Sequence, residues 1–328
     1  MELRTTFNIE PSPYKITYDD RVMFIGSCFA TSIGEQMRRG KMNVLINPAG
    51  TVYNPVSVCN TLDSITAGKE FTKDDLLFHD GMWLSFFHYT DFSSEDPDKT
   101  LHKININLKE ASLFFKNSGF LFITFGTSRI YRWKKTGLIV SNCHKIPSGE
   151  FSRELLSVKE IVDLWTSQLN RLSTSYPDLK VIFTISPVRH FIDGAHGNQI
   201  SKSVLFLAVE ELMGHSSKPQ YFPAYELVMD DLRDYRFYND DMIHPSDLAI
   251  NYIWEAFSGS YLDSSTVKIW NEALKITKAR HHRFNTDSSF KKRDFAKTML
   301  RSISEIEKKV PVTDFSDEKS YFETLLKE

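Results

Sequence analysis

Val22-Met23-Phe24-Ile25-Gly26-Ser27-Cys28-Phe29-Ala30 is the stretch from which the fold is read. Its first four residues are apolar and two are β-branched, the pattern of a short buried strand. Gly26 and Ser27 interrupt the run. Phe29, Ile33 and Met37 then recur at helical spacing, and Gly40 provides a stop. Ser27 and Cys28 therefore fall on a tight strand-to-helix turn. A side chain there is lifted off the end of a sheet beside a helix N-terminus, a place suited to a nucleophile or an anion.

The same alternation continues along the chain. Val44-Leu45-Ile46 ends in Asn47-Pro48-Ala49-Gly50, and Asn54-Pro55 reads as an N-cap with proline at the first helical position. Leu121–Phe125 is a third strand ending at Gly126. Val158, Ile161, Val162, Trp165, Leu169 and Leu172 predict an amphipathic helix. Leu179–Ile185 is a fourth strand, broken by Pro187, and a helix is expected around Ser203 to Met213. A short strand is expected near Gln220 to Phe222, and Ser246 can cap a last core helix carrying Ile250, Ile253, Trp254 and Phe257.

Strands alternating with helices imply parallel βαβ units and a three-layer α/β/α sandwich around a mostly parallel sheet. Functional groups in such sheets collect beyond the carboxyl ends of the strands. Gly26-Ser27, Asn47–Gly50 and Gly126-Thr127-Ser128 would all converge there. The stretch 66–117, aromatic and weakly patterned, is expected to be an insertion folded over one end of the sheet. The core domain is expected over 1–260, followed by a helical extension over 261–328, basic from Lys268 to Lys297, that reads as a solvated appendage with an oligomer contact as the alternative.

The 328 residues can bury a sizeable core, and the formal net charge of −2 gives no global case for nucleic acid or anionic membrane. Met1–Phe7 contains no apolar segment, and no run has the length of a membrane span. Cys28, Cys59 and Cys143 are sparse, odd in number and without a CxxC pair, so a reduced, cytoplasmic protein is expected. There is no GxxxxGK, no GxGxxG after a strand and no HExxH, so no nucleotide, cofactor or metal is expected.

Ser27 needs a base. His244 is the candidate, and Asp241, three residues earlier, can reach its Nδ1–H and fix the tautomer. Asp240 is the rival for that role. Cys28 is the rival nucleophile, because a thiol at a helix N-terminus can be made reactive. His190 follows a strand end and can line the site. His79 and His88 fit aromatic packing within the insertion.

Gly26-Ser27-Cys28-Phe29-Ala30 resembles the signature string of the GSCFA family. Asn47–Pro55, Phe125–Ser128, Ile185–His190 and Asp241–Pro245 resemble its further blocks, in order, over most of the chain. That family is similar to the SGNH (GDSL-type) hydrolases, which have an α/β/α sandwich of flavodoxin-like form and a Ser-Asp-His site with the last two in a DxxH. The resemblance implies Ser27 as nucleophile, His244 as base and Asp241 as its orienter, without a cofactor. It also implies that the Gly50 and Ser27 N–H groups bind the oxyanion. Ser128 stands where those hydrolases carry an oxyanion-binding Asn, so Ser128, Thr127, Asn54 or Arg189 would have to substitute. The implied activity is hydrolysis of an O-acetyl or short-acyl ester of a carbohydrate-like substrate through an acyl-enzyme. Acyl transfer from the same site, or ligand binding with weak catalysis, are the alternatives.

Overall fold

A computed structural model describes residues 5–282, 284 and 288–327. The first four residues of the sequence, four positions within the basic tail (283 and 285–287) and the last residue lie outside that description. The chain divides into two compact units. The first comprises residues 1–8, Arg21–Ser32 and Leu45–Ile253.

Its centre is a five-stranded sheet. The strands are β1 (Arg21–Gly26), β2 (Val44–Ile46), β5 (Ser118–Phe125), β9 (Lys180–Ile185) and β10 (Gln220–Tyr221), in the order β10-β9-β5-β1-β2. Taken in chain order this is the 2-1-3-4-5 arrangement of flavodoxin-like sheets. β1 runs parallel to β5 with Ile25 opposite Ile123, and β5 parallel to β9 with Ile123 opposite Phe183. These strands read as unbroken apolar runs because helices cover both faces of the sheet. The architecture is a three-layer α/β/α sandwich, as expected.

Helices α1 (Cys28–Arg39), α2 (Pro55–Ala67), α3 (Pro97–Phe115), α4 (Val158–Ser175) and α5 (Gly194–Met213) connect the strands. Asn54 caps α2 by accepting from the Ser57 N–H, and Gly68 closes it in the left-handed conformation. Ser157 and Glu160 form a capping box on α4. The stripe expected on α4 delivers Trp165, fully buried, against Phe125 and Phe183 at ring-centroid distances of 5.1 and 5.4 Å. Its indole N–H donates to the Pro55 carbonyl at 3.2 Å.

Two parts of this unit differ from expectation. The stretch 66–117 is only partly an excursion: β3 (Leu77–His79) and β4 (Met82–Leu84) form a hairpin, whereas α3 is a core helix. Ile104, Leu108, Ala111 and Phe115 bury its apolar stripe in the main core, and the charged residues between them weaken that pattern in sequence. His88 is packed between the rings of Phe71 and Phe92, and burial pushes its pKa down to about 3. The second difference is a three-stranded antiparallel sheet, β6 (Arg129–Trp133), β7 (Ile139–Val140) and β8 (Phe151–Leu155), in the order β7-β6-β8. Its short, charged strands carry no strong apolar run.

After β10 come the single turn α6 (Ala224–Glu226) and a loop that reaches α7 (Asp247–Tyr261). The Ser246 hydroxyl accepts from the Ala249 N–H at 3.4 Å, the expected cap.

The second unit comprises Ile9–Asp20, Ile33–Val44 and Trp254–Glu328. Its helices α8 (Ser264–Ala279), α9 (Ser289–Lys309) and α10 (Ser316–Lys327) share a core built on Ala273, Ile276, Ile303, Ile306, Phe315 and Phe322. It draws in two earlier segments. The Trp270 indole N–H donates to the Gln36 carbonyl at 2.8 Å, and Lys41 pairs with the buried Glu318 at 2.7 Å. Removing the Lys41 partner leaves that carboxylate buried and alone. Lys41→Met should therefore lower the unfolding free energy by about 3 kcal/mol, read as a fall in urea midpoint. Among the described residues no helix is long and apolar enough to cross a membrane.

Candidate active site

The turn after β1 is clamped on three sides. Gly26 N–H donates to Asn47 Oδ1 at 2.8 Å, the Gly26 carbonyl accepts from Val52 N–H at 3.0 Å, and Ser27 N–H donates to the Thr124 carbonyl at 3.1 Å. Gly26 has φ +141°, and a Cβ on it would lie 2.2 Å from the Thr124 oxygen. Only glycine fits this approach of two backbones. Held in this way, Ser27 turns its side chain inward. It is 1% exposed, its hydroxyl has no hydrogen-bond partner, and it does not line the adjoining cavity.

Cys28, the first residue of α1, does line it. The cavity encloses about 630 Å³ beyond the carboxyl ends of β1, β5 and β9. The thiol is a half-buried free cysteine. Burial raises its pKa, and the N–H groups of Phe29 and Cys28 and the charge of Lys202 oppose that rise. These two N–H groups belong to the first turn of the helix and have no intrahelical acceptor.

His244 lines the same cavity. Its Nδ1 lies 2.6 Å from Asp241 Oδ2, while Asp241 Oδ1 accepts from the Ile243 and His244 N–H groups at 2.8 and 2.9 Å. Asp241, rather than Asp240, holds the ring. Those backbone bonds first, and the imidazole after them, push the Asp241 pKa down to about 2. The carboxylate is the acceptor, so Nδ1 carries a proton, and in the neutral ring Nε2 then presents a lone pair. The turn also needs Met242 at φ +59°, so Asp241 shapes the loop and orients the imidazole at once.

His190 lines the cavity as well, edge-on to Tyr53 at 5.4 Å. Burial above all, then Lys202, Arg153 and His244, lowers its pKa to about 4, so the ring is neutral. Its Nε2 is buried without a partner.

The expected oxyanion donors are differently placed. Gly50 N–H donates to the Asn47 carbonyl at 2.8 Å, and Ser27 N–H is taken by Thr124, so neither is available. Gly50 is glycine for another reason: at φ +84°, a Cβ would lie 2.2 Å from the Tyr89 Cβ. Ser128 is fully buried and bonds Ser201 through both its N–H (2.9 Å) and its hydroxyl (3.0 Å), so it faces away from the cavity. Thr127 reaches the cavity, with its hydroxyl 2.9 Å from Ser201 Oγ. Asn54 also lines the cavity. Capping α2 occupies only its Oδ1, which leaves the Nδ2 amide free of any partner among the described residues. Arg189 lines the opposite part, its guanidinium 6.0 Å from the Phe191 ring centroid.

Lys202, close to the site, went unread in the sequence, as did Arg129 and Arg153, which line the cavity. Lys202 on α5 is fully buried, and its ammonium donates to the carbonyls of Gly126 (2.7 Å) and Ser186 (2.5 Å), tying together the ends of β5 and β9. Its signal was present: Lys202 stands on the same helical stripe as Leu205, Val209 and Leu212. A lysine on an apolar face marks a buried cation. Burial lowers its pKa to about 7. An unfolded chain holds a lysine proton up to about pH 10.4, so between these values the unfolded state binds more protons. Stability gained from this group therefore rises with pH from about 7 to 10. The unfolding free energy of the protein, read by urea denaturation, should rise over that window relative to Lys202→Met, by on the order of 1 kcal/mol per pH unit.

No curated protein matches the chain. The sequence profile of the GSCFA family matches residues 21–257, more than half of its length. By its signature string, its ordered blocks and that match, the chain belongs to the GSCFA family.

Proposed function

We propose that this protein is a covalent acyl-transfer enzyme that cleaves a short-acyl ester of a carbohydrate-like alcohol, with Cys28 rather than Ser27 as the nucleophile. One observation carries the reading: the Cys28 thiol shares a cavity with His244, whose imidazole is held by Asp241, while the neighbouring Ser27 hydroxyl is sealed from it. The similarity of the family to SGNH hydrolases supports the same class of reaction.

In this reading the ester carbonyl sits between Cys28 and Asn54. His244 Nε2 takes the thiol proton as Sγ attacks the carbonyl carbon. The raised pKa of the thiol makes this base necessary, since little thiolate exists beforehand. The oxyanion of the tetrahedral intermediate is bound by the Cys28 N–H and the Asn54 Nδ2 amide. The C–O bond then breaks, and the leaving alkoxide takes the proton from His244. Water, deprotonated by the same imidazole, attacks the thioester, releases the acid and restores the thiol. An alcohol in place of that water would complete a transfer.

The test is turnover of 4-nitrophenyl acetate, combined with mapping of the residue alkylated by iodoacetamide. Cys28→Ala and His244→Ala should each lower kcat/KM by about a hundred-fold or more. Asn54→Ala should lower kcat by about a hundred-fold, the usual effect of losing an oxyanion donor. Ser27→Ala should stay within about tenfold of the parent, since it removes a hydroxyl that has no partner. Activity abolished by Ser27→Ala and retained in Cys28→Ala would overturn the assignment.

A further inference from the structure

We infer that the substrate of this cavity carries an anionic group, a carboxylate or a phosphate, and that Arg189 and Arg153 bind it. The inference rests on the cavity and on the reading of Cys28 as its reactive group.

The charges around the cavity are one-sided. Arg129, Arg153, Arg189, His190 and His244 line it, and among the described residues no aspartate or glutamate does. Two carboxylates stand behind the lining, and both are committed. Asp193 meets Arg129 at 3.1 Å and Arg153 at 2.5 Å through one and the same oxygen, Oδ2. Asp241 is held by His244 and two backbone N–H groups. Of the three guanidinium groups, two thus share one carboxylate.

Arg189 has none among the described residues. Its neighbours are the Met229 sulfur at 3.5 Å, the Phe191 ring and the Tyr225 hydroxyl, all uncharged. Arg153 keeps a buried Nε without an acceptor. The excess of positive charge is felt by neighbouring groups: Arg153 and Lys202 help to hold His190 neutral, and Arg189 adds to the depression of Lys202.

An arginine partly removed from water without a counter-charge is unfavourable unless something compensates it. A concave wall of one sign concentrates ligands of the other. The planar guanidinium fork fits a carboxylate or phosphate through two parallel hydrogen bonds. The surrounding Tyr53, Tyr89 and Tyr131 give the rest of such a substrate, a sugar ring for example, flat surfaces to lie against.

Alkylation of Cys28 reads the site without needing the true substrate. Iodoacetate and iodoacetamide form the same S–C bond with loss of iodide and differ in charge at the far end. The ratio of their rates at Cys28, normalised to the ratio for glutathione in the same buffer, should favour iodoacetate by about tenfold or more. Arg189→Ala, and Arg189→Gln as a second, bulkier variant, should remove most of that preference while leaving the iodoacetamide rate within about threefold. Succinate and inorganic phosphate, tested separately as competitors, identify the anion by which of them protects Cys28. A normalised ratio near one, unchanged in the Arg189 variants, overturns the anion site and leaves Cys28 as nucleophile intact. If neither reagent modifies Cys28, the nucleophile assignment fails instead. The anion site is then judged by whether succinate or phosphate raises the melting temperature of the protein but not of Arg189→Ala, and absence of a rise overturns it.

Discussion

Everything at the mouth of the sheet depends on how closely the end of β1 approaches β5. With no Cβ at Gly26, the two backbones meet, and the Thr124 carbonyl takes the Ser27 N–H. That contact makes Ser27 the last residue governed by the sheet and Cys28 the first governed by the helix. The Ser27 side chain is drawn under the turn, and the Cys28 side chain emerges beside the unpaired N–H groups of α1. Asn47 serves this geometry too, accepting from Gly26 N–H and donating from Nδ2 to Thr31 Oγ1. The Asn47–Gly50 block is thus scaffold for the turn, its own Gly50 N–H spent on the Asn47 carbonyl.

Beneath the turn, a buried ammonium does for β5 and β9 what Gly26 does for β1 and β5. Lys202 closes two strand ends whose carbonyls would otherwise have no partner at the sheet edge. The electrostatic cost of its burial is tolerable because the group can release its proton near neutrality. The same charge lies close enough to Cys28 to ease ionisation of the thiol, so one side chain contributes both to packing and to the reactivity of the site.

Much of this was legible beforehand, for physical reasons. Strands buried on both faces are apolar throughout, so β1, β5 and β9 stand out, and the 3.6-residue stripe of α4 does so equally. Asp241 and His244 are local in sequence, and their pairing needs no tertiary knowledge. What escaped depends on backbone geometry. Which of two adjacent side chains faces a cavity is decided by a positive φ at Gly26 and by a hydrogen bond from the Ser27 N–H to the Thr124 carbonyl, and neither is written in residue type. The same holds for Gly50, whose N–H is consumed by Asn47 within its own turn. The β6–β8 sheet escaped because short antiparallel strands exposed on one face carry charges in place of an apolar run. The second unit is assembled from three separated segments, and contacts such as Trp270 to Gln36 join residues too distant for any local pattern to reveal.

The β6–β8 sheet leaves the core after Ser128 and returns at Leu156, whose N–H donates to the Ser128 carbonyl at 3.0 Å. Departure and return are thus stapled at a single point. Its strands supply Arg129, Tyr131, Val140 and Arg153 to the cavity wall, whereas Cys28 and His244 come from other parts of the chain. The segment is also tied to its surroundings: the Ser141 N–H donates to the Phe86 carbonyl, Arg153 pairs with Asp193, and Ile130 is buried in the main core. On the proposed reading of Cys28 as the reactive group, the residues that shape what the cavity accepts and those that carry its chemistry are thus drawn from different stretches of the chain.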